Sequence, residues 1–461
     1  MKPNHTIPLF EGKRILLGIT GSIAAYKAVE LASDLTQAGA LVDVILTQAA
    51  RQFVSAITFQ SVTGRRAYVD DDLWGSDSHI LHVGLADGAS MFVIAPITAN
   101  TIARLAQGQA DSLLTITALA VRCPLLIAPA MDAGMYEHPS TQANLETLRQ
   151  RETLIIGPAP GRLASGMMGP GRMVEPHEIL GHIRLLLGQG GPLAGRKVVV
   201  TAGGTQEAID PVRAIANHSS GKQGFALAQA ALDRGARVTL ISGPTALETP
   251  IGATRINVRS AEEMRAAVLD AIPESAALLM AAAVADFRPA NVSKKKVKRG
   301  KAVPEIKLEP TPDILELVVK QRDKHGWPLI VVGFAAESED LVKNARAKLV
   351  GKDVSLIVAN DITAKDAGFA VDTNRVTLLD QGGGVEKLPL ASKTHVAGVI
   401  LDRVVSMLRG DQACSSYLAQ ARKFHDEVIP ERPDTCRVRG SPRPRMARNA
   451  SRAGEASREI A

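Results

Sequence analysis

Residues 14–47 read RILLGITGSIAAYKAVELASDLTQAGALVDVILT. The first run, Arg14 to Thr20, is apolar without alternation, which suits a strand buried on both faces. Gly18, Gly21 and Ser22 then interrupt it. The following stretch carries apolar residues at helical spacing and closes on Gly39. Leu41–Thr47, LVDVILT, reads as the next strand, apolar apart from Asp43 and the closing Thr47. Two such strands joined through a helix form a βαβ unit, and that unit demands a parallel sheet with helices on both faces.

The same alternation continues outward. MFVIAPI (91–97) and PLLIAPA (124–130) are further strands, and residues 99–121 between them have the pattern of one or two helices. The stretch LGQGGPLAGRK (187–197) is glycine-rich with a proline and marks a domain boundary. The pattern then restarts. KVVVTAGG (197–204), RVTLISG (237–243), ALLMAAAVADF (277–287), PLIVVGFAAE (328–337) and VSLIVAND (354–361) read as strands; SGKQGFALAQAALDRGA (220–236) and SEDLVKNARAKLVGK (338–352) read as helices. The expectation is two doubly wound, Rossmann-like α/β domains, residues 1–190 and 191–411, followed by a disordered tail, 412–461. Ligands in such sheets sit at the carboxyl ends of strands, here TAGGT, VADF, GFAAE and AND.

Composition narrows the function classes. The chain of 461 residues is 46% apolar and 22% charged, ordinary for a globular protein. Aromatics are only 3%, which weakens any binding mode built on stacked bases. Three cysteines exclude a disulfide scaffold and fit a cytoplasmic protein. No apolar run approaches the roughly 18 residues of a membrane span, and the opening residues lack a signal-peptide pattern. The net charge of +7 is concentrated at the end: Arg432–Ala461 holds eight Arg and three acids. The body is nearly balanced, so no nucleic-acid partner is expected of it; the end is read as a tail, with an RNA-binding arm as the alternative.

Two constellations carry chemistry. GITGSIAAYK places Gly21 and Ser22 between a strand and a helix, where backbone N–H groups and the helix dipole favour an anion. It is not GxGxxG, which makes a dinucleotide a minor option. PITANT (96–101) adds Thr98, Asn100 and Thr101 at another strand exit. These segments, with PAMDAGMY (129–136), make the first domain resemble the flavin-containing cysteine decarboxylases. The resemblance implies a flavodoxin-like fold and FMN at these strand ends, and it assigns His79 to the active site. Two departures stand out. Asp132 replaces the family's Asn, which receives the substrate carboxylate, and an ionised Asp would repel that group. Ser165, in GRLASGMMGPGRM (161–173), replaces the cysteine that donates a proton. A hydroxyl is a far weaker acid than a thiol, so the donor is left unassigned.

In the second half, TAGGT (201–205) ends a strand and SSGKQG (219–224) opens a helix with two hydroxyls and a lysine. That is an anion site without the P-loop spacing. With AAAVADFRPA, SKKKVKRGK, TPDIL, GFAAE and AND in order, this half resembles phosphopantothenate–cysteine ligase. The whole chain thus resembles the bifunctional decarboxylase/ligase family of coenzyme A synthesis. The resemblance assigns Asn217 to the acyl-nucleotide intermediate. It assigns Asp286, Lys296, Phe334, Lys348, Lys352 and the turn Pro312, Asp313, Ile314 and Leu315 to the nucleotide. It implies CTP with Mg²⁺, 4′-phosphopantothenate and L-cysteine as ligands, and a dodecamer of flavin-domain trimers and ligase dimers. No metal-ligand spacing appears, so the metal site stays open. A working ligase fused to a flavin-binding regulatory domain is the alternative.

Overall fold

The computed structural model describes residues 7–74, 80–297, 305–337, 339–361 and 371–410. His79, Gly300 and the Arg-rich end lie outside the described residues.

The first sheet has six strands: β1 (Arg14–Ile19), β2 (Leu41–Leu46), β3 (Ala67–Val69), β4 (Ala89–Ile97), β5 (Leu125–Pro129) and β6 (Leu154–Ile155). Their order is β3-β2-β1-β4-β5-β6, and every pairing is parallel. Ile15, Leu16, Leu17 and Ile19 are fully buried, as the unbroken apolar run requires. Each such side chain contributes about 1.5–3 kcal/mol by leaving water. The helix Ala25–Gln37 returns the chain from β1 to β2. Residues 99–121 form two helices, Ala99–Gln107 and Leu113–Ala120, broken at Gly108 with φ +69°. Strand order reverses between β1 and β4, which opens a crevice at their carboxyl ends.

The second sheet has eight strands: β7 (Lys197–Ala202), β8 (Arg237–Ser242), β9 (Thr254–Asn257), β10 (Ala277–Met280), β11 (Ile330–Glu337), β12 (Leu356–Asp361), β13 (Val376–Asp380) and β14 (Val385–Lys387), in the order β9-β8-β7-β10-β11-β12-β13-β14. The first six are parallel; β13 and β14 add antiparallel at one edge. The sequence pattern did not reveal this edge. A short glycine turn, with Gly383 at φ +87°, joins β13 to β14 without a crossover helix. Strand order reverses here between β7 and β10.

ALLMAAAVADF is strand only as far as Met280. Beyond it the chain folds over TAGGT: Ala283 N donates to Gly203 O at 2.8 Å, and Ala285 N donates to Thr205 Oγ1 at 2.9 Å. The glycine-rich boundary at 187–197 is packed rather than loose. Leu193 is buried and its N–H donates to Arg234 O at 2.8 Å. Gly191 lies so close that a Cβ there would sit 2.5 Å from the Arg234 backbone. Arg184 and Asp233, both largely buried, pair at 2.6 Å.

Two candidate active sites

The reversal in the first sheet opens a cleft of about 850 Å³. Gly21, Ser22, Thr98, Asn100 and Thr101 all line it, so the five residues expected to hold a cofactor come together. Thr20, buried beneath them, stitches the exits of β1 and β4. Its Oγ1 donates to Pro96 O at 2.9 Å and accepts from Thr98 N at 3.0 Å. Thr98 caps the next helix by accepting from Thr101 N. Gly21 is required by space, since a Cβ would lie 2.5 Å from Ala49 Cβ.

The sequence reading missed Gln48, Ala49, Arg104, Ser112, Thr115 and Met131 in this lining. Ser112 and Thr115 form a reciprocal capping box, a signal present in the sequence as SxxT before an apolar run. Asp70 fixes the far wall by accepting from Gln48 N and Leu113 N. The volume, the hydroxyl and amide lining and the bare backbone at Gly21 suit an elongated ligand with a phosphate and a polar ring system.

A second cavity of about 380 Å³ adjoins this cleft and shares Ser22, Ile23, Ala130 and Met131 with it. Asp132 and Ser165 both line it. Ser165 Oγ donates to Asp132 Oδ2 at 2.7 Å, and Asp132 Oδ1 accepts from Gly134 N at 3.0 Å. Ser165 sits between the strands of the hairpin Ala159–Arg162 and Met168–Arg172. On the same wall Lys27 and Arg172 converge on Glu175, at 2.7 and 3.1 Å. The Lys27 hydrogen bond holds the Glu175 carboxyl below its ordinary range, against some desolvation.

In the second sheet a cleft of about 480 Å³ opens over the β7/β10 reversal. Asn217, Asp286, Phe334 and Lys348 line it together with Ser219–Gly224. Asn217 Nδ2 donates to Val284 O at 3.0 Å, which aims the amide across the cleft mouth. Lys348 pairs with Glu337 at 2.7 Å. The remaining candidates lie outside this lining. Lys352 pairs with Asp313 at 2.7 Å, and Asp313 caps the helix Ile314–His325. Pro312 to Leu315 reach the site through Thr311, whose N–H donates to Asp286 O at 2.9 Å. Lys296 is exposed on the segment that enters residue 297.

Lys393 was not anticipated in this lining, whereas Gln223 and Asn360 belong to the SSGKQG and AND segments expected to face a ligand. Lys393, the first residue of the helix Lys393–Arg409, is only 6% exposed, and its Nζ donates to Val371 O at 2.5 Å. Burial pushes its ammonium below the usual lysine value; nearby Lys222 adds to this and Asp372 opposes it. Gln223 Oε1 and Asn360 Oδ1 are buried without a hydrogen-bond partner among the described residues. Unmet acceptors beside a buried cation mark a place prepared for a ligand. Among the described residues, no cluster of three or more His, Cys, Asp or Glu could hold a metal. No described helix is long and apolar enough to cross a membrane.

Comparison with known proteins assigns each half of the chain to a family. Residues 9–188 match the Flavoprotein family, and residues 193–408 match the DNA/pantothenate metabolism flavoprotein C-terminal domain. The coenzyme A biosynthesis bifunctional protein CoaBC of Bacillus subtilis (strain 168) is 44% identical over 403 residues, covering 87% of this chain and 98% of that protein. The chain belongs to the bifunctional coenzyme A biosynthesis proteins. The CoaBC proteins of Mycobacterium bovis and Vibrio cholerae are also 44% identical, over 88% and 85% of this chain and 98% and 97% of theirs. Among solved structures, the C-terminal domain of a CoaBC protein aligns with 48% of this chain and 100% of its own length, at 39% identity and a TM-score of 0.41. Like its CoaBC relatives, the chain is a coenzyme A biosynthesis enzyme with decarboxylase and ligase activities, acting on small-molecule substrates.

Proposed function

We propose that the two clefts act in sequence on one pantothenate-derived molecule, the ligase cleft first. The observation that supports this most is the gathering of Asn217, Asp286, Phe334 and Lys348 around one cleft and of Gly21, Ser22, Thr98, Asn100 and Thr101 around the other. The division of labour follows residues 1–190 and 191–411.

In the ligase cleft the substrates are 4′-phosphopantothenate, CTP and L-cysteine. The phosphate of the acid would sit at the Ser219–Lys222 helix start, where the dipole and the buried Lys393 favour an anion. The acid carboxylate attacks the α-phosphorus of CTP and pyrophosphate leaves. The cysteine amine then attacks the acyl carbon and CMP leaves. Both steps concentrate negative charge, which Lys348 and Lys296 stabilise electrostatically. Lys352, tied to Asp313, supports the turn from Pro312 to Leu315 beside the nucleotide. Asn217, held through its Nδ2, presents its amide to the acyl group and orients it for the second attack. Mg²⁺ enters as the ion of the triphosphate rather than on a dedicated protein cage.

In the first cleft Gly21 and Ser22 would receive the phosphate of FMN, and Thr98, Asn100 and Thr101 its polar edge. When bound, FMN supplies reversible two-electron oxidation of the cysteinyl side chain, which makes loss of CO₂ feasible. The cavity holding Asp132 and Ser165 receives the substrate carboxylate, with His79 assigned to the same step. The product is 4′-phosphopantetheine. A cytoplasmic location and assembly into a dodecamer complete the reading.

The test is a coupled assay with 4′-phosphopantothenate, cysteine and CTP or ATP, with products resolved by mass. CTP-dependent pyrophosphate release followed by CO₂ supports the proposal. Pyrophosphate release without CO₂ from flavin-loaded protein would instead favour the regulatory flavin domain.

A further inference from the structure

Replacing a carboxylate by hydrogen consumes one proton for each CO₂ released, and that proton must reach carbon from a group in the cavity. Among the described residues no thiol lines this cavity. Its hydroxyls are Ser22, Tyr26 and Ser165, and its single carboxylate is Asp132. Of these hydroxyls, Ser165 is the one bonded to the carboxylate, at 2.7 Å.

The surrounding charges decide what Asp132 can do. Lys27 and Arg172 on the cavity wall are engaged by Glu175. Arg162 also lines the cavity, but Asp132 makes no salt bridge among the described residues; its recorded partners are Ser165 and the Gly134 amide. A second carboxylate arriving beside Asp132 is repelled while both groups are ionised, and a shared proton removes that repulsion. Two carboxylates forced together share a proton.

We propose that Asp132 and Ser165 form a proton-delivery pair that does the work of a cysteine thiol. This rests on the decarboxylase reading of the cavity. Docking of the substrate carboxylate draws one proton from solvent onto Asp132, and the shared proton turns repulsion into a hydrogen bond. When the C–C bond breaks, its electron pair stays with the substrate and CO₂ departs. The Ser165 hydroxyl then turns from Asp132 toward the carbon. Its O–H bond breaks as C–H forms, and Asp132 returns a proton to Ser165 Oγ; the two electrons that bound FMN had taken from the cysteinyl side chain would return to the sulfur-bearing carbon, giving the saturated thiol. Asp132 ends ionised and Ser165 unchanged, with one solvent proton spent per CO₂. Ser165 is exposed, so reloading from water is direct.

Two measurements on flavin-loaded protein test the pair. First, N-(4′-phosphopantothenoyl)-L-alanine, which keeps the carboxylate and lacks the sulfur, is titrated calorimetrically in buffers of differing ionisation heat. Uptake of about one proton per site by the native protein and none by D132N is expected; binding by the native protein without proton uptake would overturn the proposal. Second, saturated thiol is compared with CO₂ by mass. S165A is expected to lower that ratio by about tenfold or more, releasing an unsaturated thiol, and D132N/S165C is expected to restore it. An S165A protein with the native ratio would refute the pair. Flavin-loaded native protein that releases no CO₂ would instead defeat the decarboxylase reading, and the pair with it.

Discussion

Lys348 Nζ stands 2.7 Å from Glu337 Oε1 at the mouth of the ligase cleft, so the lysine assigned to the nucleotide already carries a carboxylate partner. The lysine side chain is half exposed, while Glu337 is largely buried and also accepts from Asn344 Nδ2 at 3.3 Å, so the carboxylate keeps a partner when the lysine turns away. A triphosphate can therefore take the place of Glu337 at little cost. K348M is expected to raise the KM for CTP by about tenfold, while E337Q lowers it about two- to fivefold. Both effects should shrink as salt is added. Pyrophosphate release against CTP concentration at two ionic strengths checks this; an E337Q variant with weakened nucleotide binding would show that Glu337 serves the nucleotide directly.

The neighbouring pair, Lys352 and Asp313, gives a pH dependence. Burial works against the Asp313 carboxylate. The Lys352 hydrogen bond and the helix-start amides of Glu316 and Leu315 outweigh it, so its pKa lies below the ordinary value. A depressed carboxylate contributes stability that is present above the unfolded value, about 4, and is lost as pH falls through the folded one. D313N, which keeps the helix cap, is expected to flatten that acid loss by up to about 1 kcal/mol, discounted for exposure. Thermal unfolding between pH 7 and pH 3 measures it; an acid limb as steep as the native one would contradict it.

Asp210 and Arg213 anchor the lysine-rich segment. Arg213 Nη2 donates to Asp210 Oδ2 at 2.6 Å and to Val297 O at 2.9 Å, while Val297 N donates to Asp210 Oδ2 at 3.1 Å. The Arg213 hydrogen bond is the chief reason the Asp210 carboxyl lies far below its ordinary value, with the amides of Val212, Val297 and Arg213 aiding it against desolvation. Lys296 is the residue before this anchor. D210N should loosen the segment and raise the KM for CTP on the order of tenfold, leaving CO₂ release from supplied phosphopantothenoylcysteine unchanged. Equal losses in both half-reactions would mean a folding defect instead.

These cases show what the sequence carried and what it did not. The apolar runs Arg14–Thr20 and Lys197–Ala202 dictated buried parallel strands, and polar residues at their exits dictated where ligands go. Thr98 was legible because strand exits are local features, and Asn217 only through the resemblance of its segment. Lys393 was not, because it lies about 170 residues from Gln223 and only the packing of its helix brings it to the cleft. The hydrogen bond from Ser165 to Asp132 was equally hidden. Each residue looked like an isolated departure from a motif, and 33 positions separate the two along the chain. The β13/β14 edge escaped because short strands around a glycine turn leave a weak pattern.

Thr20 supports a prediction about the flavin cleft. Its hydroxyl is buried and is the acceptor for Thr98 N. T20V keeps the shape but leaves that amide without its acceptor, a cost of about 1–3 kcal/mol, while the Pro96 carbonyl keeps the Thr20 N–H at 3.2 Å. The loss falls where β1 and β4 diverge, so flavin retention should fall along with stability. Purified T20V is expected to carry less than half the native flavin by absorbance, with ligase turnover intact. A fully yellow T20V would show that Thr98 is positioned by other contacts.

Lys393 yields the sharpest test of which anion the ligase cleft holds. Burial, with Lys222 nearby, depresses its pKa. A lysine whose folded value lies below the unfolded one, about 10.4, costs stability at neutral pH, and the cost is relieved as pH rises through the folded value. A bound phosphate relieves it by another route, by bringing negative charge to the ammonium. Native protein is therefore expected to gain more thermal stability from 4′-phosphopantothenate than from pantothenate at equal concentration. In K393M that difference should vanish and the KM for the phosphorylated acid rise about 10- to 100-fold, with K393R in between. The CTP-dependent shift should persist in K393M. If K393M loses the CTP shift and keeps its preference for the phosphorylated acid, the buried lysine faces the triphosphate, and the placement of the two substrates must be exchanged.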